Sequence, residues 1–215
     1  MDAAHLRVAG SGVLWIVLCV AGCAVTGCGA RTPSAEDALA QGNSYYAREA
    51  YDLAIAAYSE AILRDPALVD AYVNRSIAYL QLERYDEAIA DSNAAIRLDG
   101  RLAAAYYNRG VAYLDLDQLD QAVADFDEAI RLDPHDADAH HNRALAYLLM
   151  GKHASALDDF RQALNLNADP GLIFPHLPDE MRRQLEGPPS DYTLAPWPDP
   201  PQPAVTTADP PVSAP

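Results

Sequence analysis

"AYYNRGVAYLDL", residues 105–116, decides the fold, because the chain carries two near-copies of it. Residues 71–82 read "AYVNRSIAYLQL" and residues 139–150 read "AHHNRALAYLLM". The copies begin at Ala71, Ala105 and Ala139, a step of 34 residues each time. A fixed step of this size marks one supersecondary unit used several times over, each copy burying its apolar face against the next.

A second segment of constant length follows each copy: "YDEAIADSNAAIRLDG" at 85–100, "LDQAVADFDEAIRLDP" at 119–134 and "HASALDDFRQALNLNA" at 153–168. An earlier relative, "YDLAIAAYSEAILRDP" at 51–66, reveals a fourth and more degenerate unit. The units are therefore 35–68, 69–102, 103–136 and 137–170. Each holds two helical segments, with apolar residues recurring at spacings of three and four. In the third unit, Tyr106, Gly110 and Tyr113 share one face, as do Ala122, Phe126, Ala129 and Ile130 in its second segment. Small residues at Gly110 and Ala122 allow close approach, and Tyr113 and Phe126 fill the space beside them. Pro134 stops the second helix, since proline has no N–H to give, and Asp133 before it is driven to extended backbone.

This pattern resembles the tetratricopeptide repeat, whose marker positions are 4, 7, 8, 11, 20, 24, 27 and 32. The third unit presents Tyr106, Arg109, Gly110, Tyr113, Ala122, Phe126, Ala129 and Pro134 there. The first presents Gly42, Tyr45, Ala54, Tyr58, Ala61 and Pro66, and the second Tyr72, Ser76, Tyr79, Ala88 and Ala95, with Ser92 and Gly100 as weaker matches. The fourth presents Ala144, Tyr147, Ala156, Phe160 and Ala163, with Ala168 where proline is usual. The resemblance implies an all-α protein, an α-solenoid of four helix–turn–helix units. One departure stands out. Position 7, usually Leu, is Arg75, Arg109 and Arg143, and position 23 of the same units is Asp91, Asp125 and Asp159. The first unit has Gln41 and Ala57 instead, so the charges occur together or not at all. An ion pair between the two helices of a unit accounts for this; simple duplication of one ancestral unit is the other reading.

In this family the first helices line the binding surface. The positions expected to face a partner are Val73, Asn74, Ile77 and Leu80, then Tyr107, Asn108, Val111 and Leu114, then His141, Asn142, Leu145 and Leu148. They make an apolar stripe beside an asparagine ladder of Asn74, Asn108 and Asn142. The stripe suits an amphipathic helix or an extended peptide, and each amide offers both a donor and an acceptor to a peptide backbone. The competing reading is that some of these residues only pad neighbouring units. A subset of the family grips C-terminal carboxylates with cations and asparagines. At those positions the first three units carry Leu39, Asn43, Asn74, Ala104 and Asn108, so both asparagines match and every cation is missing. A carboxylate needs charged partners to offset its desolvation, which argues against such a clamp.

The net charge is −16 and Lys152 is the only lysine. So acidic a chain should repel nucleic acid, whose phosphates need Lys and Arg in excess to neutralise them. Near the N-terminus, His5 and Arg7 precede an uncharged run from Val8 to Gly29 with the apolar core "VLWIVLCV" at 13–20, which has the anatomy of a signal peptide. The run is also long enough to be read as an uncleaved membrane helix. "VAGC" ending at Cys23 and "VTGC" ending at Cys28 each resemble the bacterial lipobox. Cys28 is the expected lipidation site and Cys23 the alternative, because cleavage before Cys28 leaves no free thiol. The expected organisation is a lipoprotein signal peptide at 1–27, a linker at 28–34, the four units at 35–170, a capping segment at 171–187 and a disordered Pro-rich tail at 188–215.

The capping segment, "GLIFPHLPDEMRRQLEG", places Leu177, Met181 and Leu185 on one side of a short helix near 179–186, suited to the exposed end of a repeat array. The tail holds ten prolines and the lone Trp197, a composition that does not build a core. His135, His140, His141 and His153 cluster in sequence, but with no metal-site spacing. No nucleophile motif or phosphate loop is present, so no cofactor is expected. The expectation is a non-enzymatic lipoprotein scaffold, lipid-anchored in the bacterial envelope and facing the periplasm, which holds a peptide or helix of another envelope protein. By resemblance to lipoproteins, the outer membrane is the expected address. The alternatives are a homo-oligomeric structural lipoprotein and a His-based metal-binding protein.

Overall fold

The computed structural model of the chain describes residues 32–166, 168, 170–173 and 177–186. The expected signal peptide, Cys23, Cys28 and the Pro-rich tail lie outside them. The described residues are helical, without strands: α1 (Ala35–Tyr46), α2 (Tyr51–Arg64), α3 (Val69–Gln81), α4 (Tyr85–Leu98), α5 (Ala103–Asp115), α6 (Leu119–Leu132), α7 (Ala137–Leu149), α8 (His153–Asn165), α9 (Pro170–Ile173) and α10 (Asp179–Glu186). Each unit is one pair, α1–α2 through α7–α8. Each pair packs on the next, and successive first helices also touch.

The turn inside each unit is built the same way. Its fifteenth residue adopts left-handed backbone: Glu49 at φ 59°, Glu83 at 57°, Asp117 at 58° and Gly151 at 73°. The next amide then reaches back to a tyrosine carbonyl, Ala50 to Tyr45, Arg84 to Tyr79, Gln118 to Tyr113 and Lys152 to Tyr147. Only Gly151 adopts this conformation without a Cβ penalty. Between units the chain leaves the second helix through extended residues, as anticipated at Asp133 (φ −131°, ψ 92°). Asp65 and Asp99 behave alike, the latter before Gly100 rather than a proline.

Packing within a unit pairs a small residue at position 8 with an aromatic one at position 24. A Cβ added at Gly110 would lie 2.8 Å from Cε1 of Phe126, and one at Gly42 would meet the Tyr58 ring closer still. Tyr58, Phe126 and Phe160 are all buried. In the second unit Ser76 and Ser92 occupy these places, and the buried Ser92 hydroxyl has no hydrogen-bond partner among the described residues.

Both ends of the array are finished. At the start, Ser34 and Asp37 form a capping box on α1, and the Arg64 guanidinium holds the Pro33 carbonyl. At the finish, Ile173, Leu177 and Met181 are buried against Ala156, Leu157, Phe160 and Ala163 of α8. The expected capping helix is α10, and the short α9 adds Ile173 to the same cluster.

Candidate functional site on the first-helix face

The Arg–Asp pairs set the geometry of this face. Arg109 grips Asp125 with a fork of two bonds, Nε–Oδ2 at 2.7 Å and Nη2–Oδ1 at 2.6 Å. Arg75 grips Asp91 at 2.7 and 2.7 Å, and Arg143 grips Asp159 at 2.7 and 2.6 Å. The three aspartates are buried. The third guanidinium nitrogen crosses to the preceding unit, to Ser59 at 2.8 Å, Asn93 at 2.5 Å and Asp127 at 2.6 Å. All three acceptors sit at position 25. Each arginine therefore fastens two units as well as two helices. The hydrogen bonds it donates to Asp125 hold the Arg109 guanidinium charged more firmly than usual, against the opposing effect of burial.

The amide nitrogens of the asparagine ladder are spent on the preceding unit. Asn74 Nδ2 donates to Asn43 Oδ1 at 2.9 Å, Asn108 Nδ2 to Ser76 Oγ at 2.9 Å and Asn142 Nδ2 to the Tyr107 hydroxyl at 2.8 Å. Each bond runs from one unit to the one before it. Asn108 is only 4% exposed, so it is corrected from a ligand-facing position to a buried link between units. Val73 is corrected likewise: at 8% exposed, it packs with Ala95 and Ala105 across the seam between the second and third units.

The remaining expected positions, Asn74, Ile77, Leu80, Tyr107, Val111, Leu114, His141, Asn142, Leu145 and Leu148, are half-buried. Several also serve the core. Tyr107 packs its ring 6.0 Å from Phe126, and His141 sets its ring 5.7 Å from Phe160. Leu145 and Leu148 pack against the cluster under α10, and Ile77 against the cluster around Val73. Burial first, then the charges of Asp138 and Asp136, push the Tyr107 hydroxyl up to about 12, against the hydrogen bond from Asn142.

A cleft of about 220 Å³ opens at the first two units, lined by Asn43, Tyr46, Tyr58, Asn74 and Ile77. Of these, the expected partner-facing positions include only Asn74 and Ile77. Asn43, Tyr46 and Ile77 occupy positions 9, 12 and 9, so the same helical register, extended into the degenerate first unit, points to the first two as well. Among the histidines, His140 is buried with Nδ1 3.2 Å from Asp159 Oδ1, taking the place that Tyr72 and Tyr106 hold in the second and third units. Among the described residues, no group of three or more His, Cys, Asp or Glu is placed to hold a metal ion. No described helix is long and apolar enough to cross a membrane.

No curated protein matches the sequence. Among solved structures, a crystal structure of MamA is 26% identical with a TM-score of 0.60, over 64% of this chain and 80% of that one. TTC0263, a thermophilic TPR protein in Thermus thermophilus, is 25% identical with a TM-score of 0.59, over 65% and 77%. The first TPR of Spaghetti (RPAP3), bound to the HSP90 peptide SRMEEVD, is 28% identical with a TM-score of 0.54, over 55% and 94%. A tetratricopeptide repeat model matches residues 103–136 and 137–170, and a TPR repeat model matches 42–82 and 78–117. With repeat after repeat matched from residue 42 to residue 170, the chain belongs to the tetratricopeptide-repeat family.

Proposed function

We propose that this protein is a binding scaffold, not an enzyme, and that it holds an extended peptide or amphipathic helix of another envelope protein along its first-helix face. The observation that carries this reading is the set of half-buried apolar side chains repeated on successive first helices, Ile77 and Leu80, Val111 and Leu114, Leu145 and Leu148, with Ile77 also lining the cleft of the first two units. Apolar surface left partly open on a rigid repeat array is what a peptide ligand covers. The Spaghetti TPR, bound to a peptide, supports the same use of the fold. Lipid attachment at Cys28 and an outer-membrane, periplasm-facing address complete the proposal, supported by the lipobox-like "VTGC" alone.

Leu80 and Leu114 are the residues to test, because neither packs in the core clusters described above. Tyr107 is unsuitable, since its hydroxyl and ring are both committed to neighbouring side chains. Leu80→Glu with Leu114→Glu should leave helicity unchanged and weaken binding of a purified envelope partner at least tenfold. Undiminished binding would refute the site. For the anchor, mass spectrometry should find a mature chain that begins with lipid-modified Cys28; an intact Met1 would refute it.

A further inference from the structure

We infer that the cleft between the first two units is a recognition site for a neutral primary amide, the side chain of a glutamine or asparagine on the bound segment. The inference rests on the proposed binding face and specifies what its first-unit end reads.

Two asparagines line the cleft, and their hydrogen bonds fix what they show to it. Asn43 Oδ1 accepts twice, from the Tyr58 hydroxyl at 2.9 Å and from Asn74 Nδ2 at 2.9 Å. The Asn43 amide nitrogen and the Asn74 amide oxygen are thereby left for a ligand. The cleft so presents one donor group beside one acceptor. Exchanging oxygen and nitrogen in both side chains swaps the two roles and leaves the same complementary pair. A primary amide is the small group that satisfies both at once: its carbonyl oxygen accepts from one asparagine and its N–H donates to the other. A carboxylate satisfies only the donor and sets its charge against the amide oxygen.

The rest of the lining agrees. Tyr46, Tyr58 and Ile77 supply apolar walls, and no charged side chain lines the cleft. Nothing there offsets the desolvation of an anion, in a chain that already carries −16. The volume of about 220 Å³ is ample to admit a glutamine or asparagine side chain. The arrangement occurs at this one boundary among the described units. At the corresponding boundaries position 9 is Ile77 or Val111 rather than asparagine, so no second side-chain amide stands there beside Asn108 or Asn142.

The probes are N-acetyl-glutamine N-methylamide and N-acetyl-glutamate N-methylamide, which share a backbone and differ only in amide against carboxylate. Each is titrated at pH 7 into the isotope-labelled chain, and the side-chain amide signals of Asn43 and Asn74 are followed by NMR. The glutamine compound should shift both signals and bind at least tenfold tighter than the glutamate compound. Asn43→Asp should weaken the glutamine compound at least tenfold while helicity stays unchanged. Equal affinity for the two compounds, or a preference for glutamate, overturns the inference, and the comparison on the unmutated chain needs no variant to fold. If a protein partner still shifts Leu80 and Leu114 while glutamine shows no preference, the amide site falls and the binding face stands. If neither moves any residue of the face, both fall.

Discussion

Removing Arg109 or Asp125 should unfold the array at unequal cost. Asp125 is 6% exposed and takes both bonds of the fork. Arg109→Ala strands its carboxylate in a nearly dry seam and also deprives Asn93 of its donor, so about 3–4 kcal/mol is expected. Asp125→Ala is milder. The Arg109 side chain is 20% exposed, keeps Asn93 and lies 5.6 Å from the Tyr106 ring, so its orphaned charge retains water, an acceptor and a π face. About 2–3 kcal/mol is expected there. The double variant removes both charges and should cost about 2 kcal/mol less than the sum of the two. Urea unfolding followed by circular dichroism at 222 nm, on all four corners of the cycle, measures these differences. A coupling below about 0.5 kcal/mol would show that the fork contributes no more than an exposed surface pair, and that the joint occurrence of Arg and Asp reflects repeat duplication alone.

Asp117→Gly should stabilise the chain by roughly 1 kcal/mol, because Asp117 sits at φ 58° where Gly151 sits in the fourth unit; a loss of stability on urea unfolding would mean that the aspartate side chain matters there. Ser92→Ala should be neutral or stabilising by about 1 kcal/mol, since it removes a buried hydroxyl that has no partner among the described residues; a clear destabilisation would refute that description. Tyr58 and Tyr107 are both pushed up to about 12, Tyr58 by burial and then by Tyr46. Their folded values lie above the ordinary tyrosine value of about 10, so the stability they contribute is full below about pH 10 and fades as pH climbs toward 12. Ultraviolet titration should show two late-ionising tyrosines, and Tyr107→Phe should flatten the alkaline decline in stability.

The step of 34 residues makes the helix pairs, the turns and the Arg–Asp forks readable without coordinates, because each depends on contacts within one unit and the units repeat. The contacts between units are harder to read. Asn108 looks like Asn74 and Asn142 in sequence, yet only Asn108 is buried, because Ser76 in the unit before it is small and polar enough to receive its amide. Val73 reads as open for the same reason: its burial depends on Ala105, one unit away. Asn43 reads as a remnant of an absent carboxylate clamp, although its pairing with Tyr58 depends only on the 15-residue separation of two residues in one unit.

The third arm of each arginine also gives the array a polarity that limits its growth. A unit inserted between the third and fourth would find Asp127 waiting for its own Arg and would offer its own position-25 side chain to Arg143. A unit appended after the fourth would instead meet Arg161, a cation already paired with Asp158 at 3.4 Å. Two guanidinium groups would then face each other where every internal boundary has an acceptor. Lengthening this protein by duplication is electrostatically smooth in the middle and obstructed at the end, so an engineered extension requires Arg161→Asn or Arg161→Ser along with displacement of α10.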